Sequence, residues 1–137
     1  MNQSCGRDRV IDTPGCLRRP TNFERYMLWS AENNMAAVVR ILGVVHEDDL
    51  RRAIDSISAL HPLMGARIII DSHHDMWFST DHAQKAPLRA VPRTSEEQWF
   101  EEIQQEYLVP FEPERGPMIR FVLIFQEDLG VYRLCPA

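Results

Sequence analysis

The stretch MAAVVRILGVVHEDDLRRAIDSISALHPLMGAR, residues 35–67, decides how the rest of the chain is read. Its first part, Met35 to Val45, carries Val38, Val39, Ile41, Leu42, Val44 and Val45, with Arg40 as its charged residue. Branched side chains suit a pleated surface better than a helix, so this part reads as a mostly buried strand that reaches Gly43. Glu47, Asp48 and Asp49 follow, where negative charge favours a helix N-terminus. Leu50, Ala53, Ile54, Ile57 and Leu60 or His61 then recur at helical spacing as one apolar stripe. Glu47 with Arg51 and Asp48 with Arg52 stand four apart, each pair worth about 0.2–0.5 kcal/mol. Pro62 ends the helix.

Upstream, residues 1–21 are polar and broken by Pro14, Gly15 and Pro20, which predicts a flexible leader; residues 22–137 then form a single domain. Thr21 or Asn22 caps a short helix through Phe23, Tyr26 and Met27 towards Trp29, with Glu24 in its first turn. Asn33 and Asn34 make a turn. Downstream, Arg67–Asp71 and Met76–Thr80 read as strands joined by the polar turn Ser72-His73-His74-Asp75, and Leu88–Val91 as another short strand. Ser95 and Gln98 have capping-box spacing. Trp99, Ile103 and Tyr107, flanked by Phe100 and Leu108, form the apolar face of a second main helix stopped before Pro110. Met118–Phe125 is a strongly apolar strand, Gln126–Gly130 a turn, and Val131–Cys135 the returning strand. The class is α+β: a mixed β-sheet with two main helices packed on one face.

A chain of 137 residues can bury a core. Its 45% hydrophobic and 26% charged residues place it among soluble globular proteins. Fifteen basic and twenty acidic residues leave a formal charge of −5, which argues against a nucleic-acid partner. Lys85 is the only lysine, so the positive charge is nearly all guanidinium. Cys5, Cys16 and Cys135 are an odd number at scattered positions, fitting neither a disulfide framework nor a zinc pattern. No apolar run approaches the roughly 20 residues of a membrane span, and the N-terminus lacks the apolar segment of a signal peptide. These features lead us to expect a cytoplasmic protein with free thiols.

Four segments, in order, resemble the N-terminal lobe of the chloramphenicol-acetyltransferase-like superfamily, which includes peptide-synthetase condensation domains and polyketide-associated or alcohol acyltransferases. Asn22-Phe23-Glu24-Arg25 is similar to the short opening helix with its acidic residue. Arg40-Ile41-Leu42-Gly43 with Asp49-Leu50-Arg51-Arg52-Ala53-Ile54 resembles the strand, glycine and first long helix. His61-Pro62-Leu63-Met64-Gly65-Ala66-Arg67 resembles the His-Pro-Leu-Leu-x-Ala-Arg passage. Pro110-Phe111 with Gly116-Pro117-Met118-Ile119-Arg120 resembles the Pro-Phe … Gly-Pro-Leu-x-Arg approach to a central strand. Together the segments span about residues 22–135.

The resemblance implies half of a two-lobed fold whose halves enclose a tunnel where acyl donor and acceptor meet. It implies coenzyme A or a phosphopantetheine thioester as donor for a full-length relative, with a C-terminal lobe and an acyl carrier as partners. The family's motif, His-His-x-x-x-Asp-Gly, follows the strand matching Val131–Cys135, and its second histidine is the general base. The sequence reaches Pro136-Ala137 where that motif would begin, so no catalytic residue is assigned and the lobe is expected to be catalytically incomplete by itself.

His73-His74-Asp75 does not replace the motif, because Phe78 and Ser79 stand where Asp and Gly belong. With His82 these residues offer metal-ligand atoms, but adjacent histidines on extended backbone point to opposite faces, so a solvated turn is expected and no metal site is assigned. His61 is read as a helix-end residue, and Trp77, Trp99 and Phe100 as core. Arg67 and Arg120 flank apolar strands and need a carboxylate or solvent; either could meet the aspartate of the motif. Cys135 is read as an inert thiol.

Two functions remain open. One is the acyltransferase lobe. The other is a non-catalytic binding module of the same half-fold, which would expose a sheet edge and an apolar face and cover them by homo-oligomerising.

Overall fold

The computed structural model describes residues 15–29, 33–128 and 131–134. Among the described residues three α-helices and two small sheets make a mixed α+β fold. The first sheet has the order β1-β4-β3, from β1 (Cys16–Arg18), β4 (Met76–Ser79) and β3 (Arg67–Ile70), all antiparallel. The second has the order β2-β7-β6-β5, from β2 (Gly43–Val44), β7 (Val131–Leu134), β6 (Phe121–Asp128) and β5 (Leu88–Pro92). In it β5 and β6 run parallel, and the helix between them, α3 (Gln98–Leu108), is the crossover that a parallel pair requires.

The β3–β4 hairpin and the helix α2 (Glu47–Leu60) lie where local sequence places them. Glu47 accepts from Arg51 at 2.9 Å, as the four-residue spacing predicts. The second expected pair is different: Arg52 takes Asp49, one helical turn back by three, instead of Asp48. Of the predicted stripe only Ile54 is buried, while Ile57 is 47% and Leu60 76% exposed. Pro62 ends α2 and opens a single 3-10 turn, Pro62–Gly65.

The expected strand 35–45 shrinks to Gly43–Val44. A ladder needs a partner, and β7 pairs only with those two residues; Met35–Ile41 joins no ladder among the described residues. Instead of being buried, Met35, Val39 and Leu42 are 92%, 74% and 75% exposed. Within the stretch expected to be a flexible leader, Cys16–Arg18 is a strand on β4; residues 1–14 lie outside the described residues. The predicted strand 118–125 and turn 126–130 are shifted along the chain: β6 starts at Phe121, opposite Leu88, and continues to Asp128. Cys135 lies outside the described residues.

The first sheet holds the compact core: Ala66, Ile68 and Phe78 are buried, with Leu28, Met76 and Met118 packed on them. Leu28 comes from α1 (Asn22–Trp29), whose start is a reciprocal capping box. Thr21 N–H donates to Glu24 Oε2 at 2.7 Å, and Glu24 N–H donates to Thr21 Oγ1 at 3.3 Å. Arg18 forks onto the same carboxylate at 2.8 and 2.6 Å, tying β1 to α1. The Arg18 guanidinium and then the Thr21 N–H hold the Glu24 carboxyl down at about 2, against an ordinary 4.5.

A carboxylate with a depressed folded pKa contributes stability that is complete above its unfolded value and is lost as pH falls through the folded one. The Glu24 contribution is therefore expected to fade between about pH 4.5 and about pH 2. Glu24→Gln should flatten that part of a stability–pH profile measured by urea unfolding; an unchanged acid limb would remove Glu24 as its cause.

Candidate functional site

The described residues enclose an open, largely apolar groove of about 1200 Å³. One wall is the extended stretch Met35–Ile41, and the other is built from α3 and from Phe121–Ile124 of β6. Met27 and Leu28 of α1 and Leu50 of α2 also line it. The volume exceeds the roughly 300–1,000 Å³ of small-molecule pockets. No histidine or cysteine occurs among the described residues that line it.

Polar contacts set the position of both walls. Tyr107 Oη donates to the Asn34 carbonyl at 3.2 Å and so holds the start of the extended stretch to α3. On α3 itself the predicted apolar face is only partly turned inward: Trp99, Phe100 and Tyr107 are about half exposed, whereas Gln98 and Glu102 are buried. The reason is Arg89 of β5, which reaches Glu102 at 2.6 Å and Glu106 at 2.8 Å. Those two carboxylates, Glu106 first, raise the Arg89 guanidinium above its ordinary value. Gln98 is buried for a similar reason. Its side chain accepts from Thr94 N–H at 2.6 Å and donates to the Pro92 carbonyl at 2.9 Å; the expected Ser95–Gln98 capping box does not form, because α3 starts after Glu97 and Gln98 is its first residue.

Arg120 is fully engaged. Its Nε meets Glu106 Oε2 at 2.5 Å, its Nη2 donates to the carbonyls of Glu106 and Val109, and its guanidinium stacks 4.3 Å from the Phe111 ring centroid. It closes the C-terminal end of α3, where cations are favoured. Arg67 has a different environment. Nε donates to the Asp81 carbonyl at 2.6 Å and Nη1 to the Glu114 carbonyl at 3.3 Å, and no carboxylate pairs with it among the described residues.

The histidines are spread apart. His73 and His74 occupy the exposed β3–β4 turn, where Asp71 Oδ1 accepts from the N–H groups of His73 and Asp75 at 2.8 and 2.9 Å. These contacts, with the Asp75 N–H first, lower the Asp71 pKa. Asp71 Oδ2 also accepts from Trp77 Nε1 at 3.0 Å, and Arg19 stacks on that indole at 4.6 Å. His82 is exposed beyond β4. His61 is exposed at the end of α2, and it is its backbone N–H, donated to Ile57 at 2.8 Å, that caps the helix. No group of three or more His, Cys, Asp or Glu able to hold a metal occurs among the described residues. Among those residues no helix is long and apolar enough to cross a membrane.

Sequence reasoning missed the groove because its walls, Met35–Ile41 against α3 and Phe121–Ile124, are far apart in sequence. The available signal was the apolar character of Val38–Leu42 and Phe121–Ile124, both read as strand cores.

No family model matches the chain. No curated protein matches it either. Among solved structures it is similar in fold to the tallysomycin biosynthesis protein TlmII, with a TM-score of 0.53 and 22% identity. The match covers 67% of this chain and 23% of that one, so the shared part is about a quarter of the larger protein.

Proposed function

We propose that this chain is the N-terminal lobe of a chloramphenicol-acetyltransferase-like acyltransferase or condensation domain, forming one wall of the passage where a thioester donor meets its acceptor. The supporting observation is the order of elements, with the four resembling segments at its junctions. The opening helix has its capping box at Thr21–Glu24, Gly43 leads into α2, His61-Pro62 leads into β3, and the Pro110–Arg120 passage leads into β6. The fold likeness to a biosynthetic protein supports the same reading.

In this reading coenzyme A or a carrier-bound phosphopantetheine supplies the activated acyl group. The base that takes the acceptor's proton belongs to a His-His-x-x-x-Asp-Gly segment after β7. Arg67 is the better-placed partner for the aspartate of that segment, because Arg120 already has Glu106, two carbonyls and an aromatic ring. The lobe's contribution is shape and orientation.

The test reads the transcript past the Ala137 codon and assays its whole product with acetyl-CoA and with an acyl-loaded carrier. An in-frame motif with thioester-dependent release of free thiol supports the reading. A reading frame without the motif, or acyl transfer by the 137 residues alone, would overturn it. In the active product Arg67→Ala should lower kcat by roughly 10–100-fold, as expected when a positioning contact is lost, with Arg67→Lys intermediate.

The exposure of Phe23, Met35, Val39 and Leu42 favours a second reading, a self-associating module without chemistry. Light scattering on the 137-residue chain decides it: a monomer at every concentration removes this reading.

A further inference from the structure

Among the described residues β1 and β3 are the outer strands of the first sheet, and β2 and β5 those of the second. Three of these four edges are guarded. β1 is three residues long, pairs with β4 in an irregular register, and is followed by Arg19 and Pro20. β3 is covered where Ile68 N–H donates to the Pro113 carbonyl at 2.6 Å. β5 ends in Pro92, and its Leu88 and Pro92 carbonyls accept from the side chains of Arg51 and Gln98. Short, charged, proline-bearing or covered edges are the usual protection against pairing with another chain.

The fourth edge has no such guard. β7 takes one side of β2, and the segment leading into β2, Met35–Ile41, joins no ladder among the described residues. No hydrogen bond reaches the backbone of that segment among those residues. It contains no proline and a single charge, Arg40, and Met35, Val38 and Val39 are exposed.

The segment is also complementary to itself. Two copies related by a twofold axis pair antiparallel with one residue facing its own counterpart at the axis. Val38 is the midpoint of 35–41, and pairing about it uses the whole segment. Ala36 then faces Arg40 and Ala37 faces Val39, so small side chains stand opposite large ones and Arg40 meets no like charge. The chain carries a formal −5, yet residues 33–45 contain no acidic residue, so two copies meet where they repel each other least.

We propose that Met35–Ile41 is a self-pairing edge whose occupant is the same segment of a second copy, antiparallel about Val38. Main-chain bonds across the axis satisfy groups that the fold of one copy leaves open, the mode by which sheet edges add a strand. The proposal rests on the self-association reading and names the interface it lacks.

The test is a charge swap at the axis, read by sedimentation equilibrium on the full 137-residue chain. The unaltered chain should show a reversible dimer. Val38→Glu and Val38→Lys each set two like charges face to face, and each should raise the dimer dissociation constant by about tenfold or more. Mixing the two variants in equal amounts should restore it to within a few-fold of the unaltered chain, because a carboxylate then faces an ammonium group. Val38 is 58% exposed, so both side chains fit the single copy, and amide protection of Ile68 and Phe78 reports an intact fold. Dimers that neither substitution weakens, or that weaken without recovering on mixing, would overturn the proposal and leave the self-association reading standing. A monomer at every concentration would remove both.

Discussion

Phe78→Ala is expected to destabilise the chain by about 3–5 kcal/mol, the usual cost of truncating a buried aromatic ring. Phe78 is 6% exposed and sits at the centre of the small core formed with Ala66 and Ile68. Leu28 reaches that core from α1 and Met118 from the approach to β6, so one ring joins the hairpin, the first helix and the second sheet's entrance. The Arg18 guanidinium lies 5.0 Å from the ring centroid, and this contact is lost as well. Domains of this size are stable by only about 5–15 kcal/mol, so the loss is a large fraction of the whole. Urea titration followed by circular dichroism measures the change. Phe78→Leu, which keeps most of the buried volume, should fall between the wild type and Phe78→Ala. A loss below about 1 kcal/mol for Phe78→Ala would show that the first sheet does not carry the stability of the fold.

Gly116→Ala is the second large effect, and it arises from backbone rather than core. Gly116 has φ +55°, and a Cβ there would lie 2.7 Å from the Ala66 carbonyl oxygen and 2.9 Å from Arg67 Cβ. The turn it closes is bonded to itself, with the N–H groups of Arg115 and Gly116 both donating to the Glu112 carbonyl. The same turn is bonded to β3, where Ile68 N–H donates to Pro113 at 2.6 Å. A methyl group would have to push the turn off the strand. Left-handed strain and overpacking together predict a loss of about 2–4 kcal/mol. Gly43→Ala is the internal comparison: φ is +117°, yet nothing lies within 4 Å of the added Cβ. It should cost only its own conformational part. A loss below about 1 kcal/mol for Gly116→Ala in the same urea titration would show that the turn accommodates the methyl group without strain.

What could be read from the sequence was what short-range pattern dictates. Acidic residues ahead of a 3.6-residue stripe marked α2 at Glu47–Leu60, and two apolar runs around a polar turn marked the hairpin of β3 and β4. Thr21 and Glu24 marked the start of α1. The features that sequence did not reveal depend on distant partners. Val38–Leu42 has every preference for a strand, but preference does not supply a neighbouring strand. Glu102 looks like a surface residue on a helix until Arg89 is placed beside it. Cys16–Arg18 is too short to stand out from a polar leader, and becomes a strand through β4. At the candidate site the apolar residues of both walls were visible. The groove between them was not, because it depends on where β7 sits in the sheet.

The connectivity of the second sheet also has a kinetic consequence. β5, α3 and β6 are successive in the chain, so their parallel pairing closes a modest loop, whereas Gly43 must find Leu134 across most of the polypeptide. Loop-closure entropy and contact order favour the nearer pairing first. The β5–α3–β6 unit is thus expected to form the early platform in refolding, with β2 joining last. Stopped-flow refolding should show Val122→Ala slowing folding, while Val44→Ala mainly speeds unfolding. The edge with the longest search in the chain is the same edge that borders the groove.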